Sequence, residues 1–108
     1  MIKLPPNSDD ILARLVAQAV ELGADGLDIE YKDGHEEVCA MKGSFGFGIA
    51  RIPSSSEEAS TLRDQLRAVG RKGKTITTAA GDFRVKASPY ESFGETAYRV
   101  QIQKRIPS

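Results

Sequence analysis

The chain has 108 residues, with 15 basic and 15 acidic side chains, 40% hydrophobic residues and 28% charged ones. That length accommodates one hydrophobic core, and the composition is ordinary for a globular domain. Cys39 is the only cysteine, which excludes an internal disulfide and a thiolate-rich metal site. No apolar run approaches the ~18 residues needed to span a membrane, so no membrane insertion is expected. The opening Met1-Ile2-Lys3-Leu4-Pro5-Pro6 lacks the apolar stretch of a signal peptide, and the expectation is a cytoplasmic protein.

Charge is unevenly placed along the chain. Residues 1–62 carry five basic and eleven acidic side chains, whereas residues 63–108 carry ten basic and four acidic ones. Such halves either pair within one fold or leave a basic face for an acidic partner.

The first helix is the clearest element. Asn7 or Ser8 is expected to cap it, with Asp9 and Asp10 in the first turn beside the positive end of the helix dipole. Ile11, Leu12, Leu15, Val16, Ala19 and Leu22 form an apolar stripe, and Gly23 ends it. Leu27, Ile29 and Tyr31 then alternate with Asp28 and Glu30, as on a half-buried strand. Asp33-Gly34 marks a tight hairpin turn, and Glu36 to Lys42 returns with Val38 and Ala40 on one face and Cys39 and Met41 on the other. Gly43, Gly46 and Gly48 suggest a flexible stretch, with a short third strand from Phe47 to Ile52.

Pro53 closes that segment. Ser55 and Glu58 have capping-box spacing ahead of a second helix, whose apolar stripe is Ala59, Leu62, Leu66 and Val69 and whose stop is Gly70. The last third reads as strands from Thr75 to Ala79, Phe83 to Ser88 and Ala97 to Lys104, with a turn at Gly81-Asp82 and a loop around Pro89. The order is α-β-β-(β)-α-β-β-β. Hairpin-linked strands with two helices imply an α+β two-layer domain, a mainly antiparallel sheet with both helices on one face.

Few residues carry chemistry. Ala68-Val69-Gly70-Arg71-Lys72-Gly73-Lys74-Thr75 has the outline of a phosphate-binding loop, but a helix precedes it and a strand follows, the reverse of the context such a loop needs. Gly43-Ser44-Phe45-Gly46-Phe47-Gly48 runs G-x-x-G-x-G, the reverse of the dinucleotide fingerprint, and reads as a connector. Asp28 and Glu30 share a strand face near His35, Glu36 and Glu37, yet alternate strand positions are where solvated acids ordinarily sit. Ser54, Ser55 and Ser56 suit helix capping, and Cys39 suits packing rather than reaction. No catalytic residue, cofactor site or metal site is assigned. The expected binding surface is basic: Arg63, Arg67, Arg71, Lys72, Lys74 and Lys86, with Arg84 beside them.

The run Ala19-Val20-Glu21-Leu22-Gly23-Ala24-Asp25-Gly26-Leu27-Asp28-Ile29-Glu30-Tyr31, after Leu4 and the first helix, resembles the opening of the N-terminal domain of type II secretion and type IV pilus ATPases. That family has Ala-Ile-x-x-Gly-Ala-Ser-Asp-Ile-His-Ile-Glu-Pro there. Met41-Lys42-Gly43, Gly73-Lys74, Phe83-Arg84-Val85-Lys86-Ala87-Ser88 and Gly94-Glu95 follow in the family's order, so the resemblance covers roughly residues 4–104. Asp25-Gly26 replaces the family's serine-aspartate, Asp28 its histidine, and Val38-Cys39-Ala40-Met41-Lys42 its arginine-rich strand. The residues that couple the family's domain to nucleotide on its motor are therefore missing, as is the motor itself within these residues. The resemblance implies the fold and non-catalytic docking to a protein, such as a secretion or pilus component. The alternative is a small module that binds phosphate ligands or nucleic acid, its basic face assisted by Phe45 and Phe47.

Overall fold

The computed structural model describes residues 10–105. Its elements are α1 (Ile11–Glu21), β1 (Gly26–Lys32), β2 (His35–Lys42), β3 (Phe45–Pro53), α2 (Glu57–Val69), β4 (Lys74–Thr78), β5 (Gly81–Ser92) and β6 (Glu95–Lys104). The expected α+β order is the one observed, with the third strand fully formed.

The six strands make one antiparallel sheet in the order β3-β2-β1-β6-β5-β4. Two three-strand meanders, one after each helix, meet where β1 pairs with β6. Tight turns hold the register. Asp33 and Gly34 both have positive φ (50° and 80°), as do Phe93 and Gly94 (50° and 81°), the backbone that matches the twist of a two-residue hairpin.

Both helices cover one face. Leu12, Leu15, Val16 and Ala19 of α1, with Ala59, Leu62, Leu66 and Val69 of α2, share a single core with Leu27, Ile29, Val38, Ala40, Val85, Ala87, Val100 and Ile102. Alternation along each strand puts these residues on the same side of the sheet. Each fully buried Leu, Ile or Val contributes roughly 1.5–3 kcal/mol relative to exposure, so this face holds the fold. The helices are also tied to each other: the Gln65 side chain of α2 accepts a hydrogen bond from the Leu12 N–H of α1 at 2.9 Å.

Several boundaries differ from expectation, each for a local reason. Asp10 caps α1, its carboxylate accepting from the Ala13 N–H, whereas Asn7, Ser8 and Asp9 lie outside the described residues. Ser56, not Ser55, caps α2: its Oγ accepts from the Ala59 N–H at 3.1 Å and donates to the Pro53 carbonyl at 2.6 Å. The glycine-rich stretch is no flexible connector, since Gly46 and Gly48 pair with Met41 and Cys39 inside β3. A bulge between Val38 and Cys39 on β2 gives β3 one extra residue, so Phe47 and Ala50 pair with Ala40 and Val38 and keep to the same face. The expected loop around Pro89 is strand, because β4 pairs with β5 only as far as Val85. The Ala87 N–H turns to that open edge, donating to the Gly70 carbonyl, and Pro89 two residues on has no N–H to lose there. The turn between β4 and β5 falls at Ala79-Ala80 and not at Gly81-Asp82.

Gly26 sits where β1 approaches β6, and a Cβ there would lie 2.8 Å from the Val100 carbonyl oxygen. Gly26→Ala is therefore expected to destabilise the domain by about 1–3 kcal/mol, the usual cost of overpacking, measured by chemical denaturation. Ser56→Ala is expected to cost about 1 kcal/mol and Ser55→Ala less than about 0.5, which distinguishes the cap from its neighbour.

Candidate functional site

The face of the sheet away from the helices carries a polar cluster on β1, β5 and β6. Tyr90 lies opposite Ala97 on β6, and the register between β1 and β6 brings Glu30 level with Ala97 on the other side. Alanine is small enough for the tyrosine to cross over it, and Ala97 is 1% exposed although it points away from the core. The Tyr90 hydroxyl thereby reaches Asp28 Oδ1 at 2.7 Å and Glu30 Oε2 at 2.9 Å. Ser92 Oγ donates to Glu30 Oε1 at 3.4 Å, and Arg99 lies 5.1 Å from the Tyr90 ring centre and 3.9 Å from Asp28. The Asp28–Glu30 pair is thus a hydroxyl-bridged couple, not two solvated acids.

The environment separates the two carboxyls. Burial pushes Asp28 above its ordinary range, with the neighbouring Glu30 adding to the effect. The hydrogen bond from Tyr90 holds Glu30 below its own range. One hydroxyl hydrogen serves one acceptor, so a proton arriving on acidification goes first to Asp28, which then becomes a donor in turn. Burial, followed by its bonds to the two acids, drives the Tyr90 hydroxyl well above the ordinary tyrosine range. Cys39 sits opposite Asp28 on β2, and burial followed by the charges of Asp28 and Glu37 raises its thiol, the direction that lowers reactivity. His35 stands at the hairpin turn with Nδ1 3.1 Å from the Asp33 carbonyl, away from this cluster. Among the described residues no group of three or more His, Cys, Asp or Glu is placed to hold a metal.

The basic residues divide into three settings. Arg63 turns inward: Nη1 donates to the buried Glu36 at 3.1 Å and Nη2 to the Ser54 carbonyl at 3.4 Å, while Ser54 Oγ donates to Glu36 at 2.7 Å. Glu36 is 6% exposed, so Arg63 is tied to neutralising it. Arg67 and Arg71 rim a groove of about 470 Å³ whose floor is Leu66, Gly70, Ala87, Pro89 and Tyr98. Arg67 pairs with Asp64, an exposed i,i+3 contact that holds it only weakly. Lys72 follows on the exit turn and Lys74 opens β4, and Lys86 lies beside that turn, its Cγ 2.9 Å from where a Gly73 Cβ would be. Gly73 has φ +88° and would also meet the Val85 carbonyl at 2.9 Å, so only glycine fits there.

This exit turn settles the context of the phosphate-loop outline. It follows the C-terminal end of α2, where the Gly70 and Gly73 N–H groups are spent on the Leu66 and Val69 carbonyls. The helix dipole there is negative and does not favour an anion, which leaves attraction to the basic side chains. Phe45 and Phe47 are on β3, four strand positions from Lys86 on β5, a separation of roughly 19 Å at the usual spacing. The aromatic loop and the basic cluster are therefore separate surfaces. Sequence spacing exposed Asp28 and Glu30, but no local signal links them to Tyr90, 62 residues away from Asp28.

No protein-family model matches the chain, and no curated protein matches it. Among the described residues no helix is long and apolar enough to cross a membrane.

The Tyr90 network has a pH signature. Its hydroxyl is raised in the folded state, so its contribution is complete below the ordinary tyrosine value and is lost as pH rises beyond it. Tyr90→Phe is expected to lower stability at pH 7 by about 1 kcal/mol. Above about pH 10 the parent chain should lose stability that the variant does not, narrowing the gap in denaturant titrations across that range.

Proposed function

We propose that this domain is a non-catalytic docking module that takes an acidic, partly apolar segment of a partner protein into the groove between α2 and β5. The observation that carries the reading is the groove itself. Its floor of Leu66, Ala87, Pro89 and Tyr98 supplies apolar contact, and two arginines at its rim match carboxylates. Arg71, Lys72 and Lys74 make no ion pair among the described residues, so their charge is free for a partner. Kinship with the N-terminal domain of secretion and pilus ATPases belongs to the same proposal. It is supported by the ordered motifs and by an element order compatible with them, and it makes a secretion or pilus component the natural partner in the cytoplasm.

A phosphate or nucleic-acid ligand is favoured by one observation, the lysines of the exit turn, but that turn lacks both a helix N-terminus and an aromatic platform. The two readings separate in a titration of labelled protein followed by NMR. The probes are a peptide alternating glutamate and leucine, inorganic phosphate and a single-stranded oligonucleotide. Docking predicts that the peptide shifts the amides of Gly70, Ala87 and Tyr98, and that Arg67→Glu with Arg71→Glu weakens it about tenfold or more, near 1.4 kcal/mol. Peptide binding that is absent at millimolar concentration overturns docking. Oligonucleotide binding that weakens steeply with added salt favours the alternative.

A further inference from the structure

The two edges of the sheet are unlike. β4 is a five-residue strand, Lys-Thr-Ile-Thr-Thr, with Lys74 at its start and Arg105 Nη1 3.4 Å from Thr75 Oγ1. Short length and charge are the usual protections of an edge. β3, the other edge, runs nine residues from Phe45 to Pro53 and carries no charge before Arg51. Phe45 is 73% exposed and Phe47 42%, so one aromatic ring stands largely uncovered and a second partly so on a strand with one unpaired side.

The backbone of that side is equally bare. Gly43 has φ +60° in the two-residue turn joining β2 to β3, so the closing pair Lys42–Phe45 is hydrogen-bonded, and so is Ala40–Phe47 two residues on. The N–H and C=O groups of Gly46 and Gly48 therefore point to the open edge. Neither glycine has a side chain to obstruct a strand, and around Gly48 no atom lies within 4 Å of where a Cβ would be.

We propose that β3 is the interface of a homodimer, pairing antiparallel with β3 of a second copy about a two-fold axis at Phe47. In that register Gly46 of one copy meets Gly48 of the other and exchanges backbone hydrogen bonds. The two Phe47 rings meet across the axis on the face shared with Ala40. The uncharged stretch from Phe45 to Ala50 faces itself, and Arg51 falls opposite the turn glycine Gly43, so no like charges meet. A foreign charged strand would leave its charge against phenylalanine, whereas a second copy brings the same uncharged strand. Net charge is zero, so copies do not repel one another at long range. The pairing closes the assembly, because the edges left outside are both the protected β4.

The area is small. Burying the exposed parts of Phe45 and Phe47 removes roughly 200 Å² of aromatic surface per copy, against about 800 Å² per partner for a standard interface. An interface this far below standard size belongs with the weak, transient ones, so association is expected only at high protein concentration. This surface is separate from the α2–β5 groove, so its test is independent of the docking proposal.

Sedimentation of the full chain from about 10 µM to 1 mM should show the mass rising from monomer to dimer and stopping there, with Gly46 and Gly48 amide exchange slowing in parallel. Phe47→Lys should hold the mass at monomer across that range, with far-UV circular dichroism and melting of the dilute protein checking that the variant, which also loses the buried part of the Phe47 ring, is still folded. In a Cys39→Ala background, Phe47→Cys should form a disulfide-linked dimer on mild oxidation. Ser44→Cys should not, because its two copies would be roughly 20 Å apart in this register. A monomer at 1 mM, open-ended polymers, or equal cross-linking at the two positions would each overturn the proposal.

Discussion

The pairing of β1 with β6 is the contact on which the rest of the structure depends. Each half of the chain builds its own three-strand meander through hairpins, which are local and need no help from the other half. Only β1 and β6 join them edge to edge, from Gly26 opposite Gln101 to Ile29 opposite Tyr98, with Ile102 N–H donating to the Asp25 carbonyl at 3.0 Å just beyond. This junction makes one core face broad enough for two helices. Lacking a Cβ, Gly26 lets the two backbones approach, and Leu27 and Val100 then stack beneath the helices.

The same junction brings opposite charge together. The acidic β1 and β2 come from the first half of the chain and the basic residues of β5 and β6 from the second, so their border is an electrostatic seam. Arg99 stands across it from Asp28, and Tyr90 reaches over Ala97 to bridge Asp28 and Glu30. A single unpaired carboxylate at this depth would be expensive, and the hydroxyls of Tyr90 and Ser92 share the load. The cluster therefore reads first as the means by which an open sheet face tolerates two half-buried acids. The Glu36–Arg63–Ser54 group does the same at the edge of the helix-covered face.

Much of the fold was legible because its signals are local. The stripe of Ala59, Leu62, Leu66 and Val69 marks one helix, and the positive φ demanded at Asp33-Gly34 marks a turn whatever surrounds it. The structure departs from the local signals where a distant partner decides. Pro89 looks like a strand breaker until β4 is seen to end short of it. Gly46 and Gly48 look flexible until β2 fixes them. The basic residues from Arg63 to Arg71 look alike in sequence, yet Arg63 is taken by Glu36 while Arg67 and Arg71 reach the groove, a division that depends on where β2 passes.

By itself the sequence determined the element types, the Asp33-Gly34 turn, the buried stripe of each helix apart from the exposed Leu22, and the division of charge between the halves. These follow from periodicity and backbone preference within a few residues. Only the tertiary structure decided that Tyr90 would meet Asp28 and Glu30, that Arg67 and Arg71 would rim an apolar groove, and that β3 would be left as a bare edge. Those outcomes depend on strand order, and strand order is set by which long-range pairing buries the most apolar surface, a quantity no local window of sequence contains.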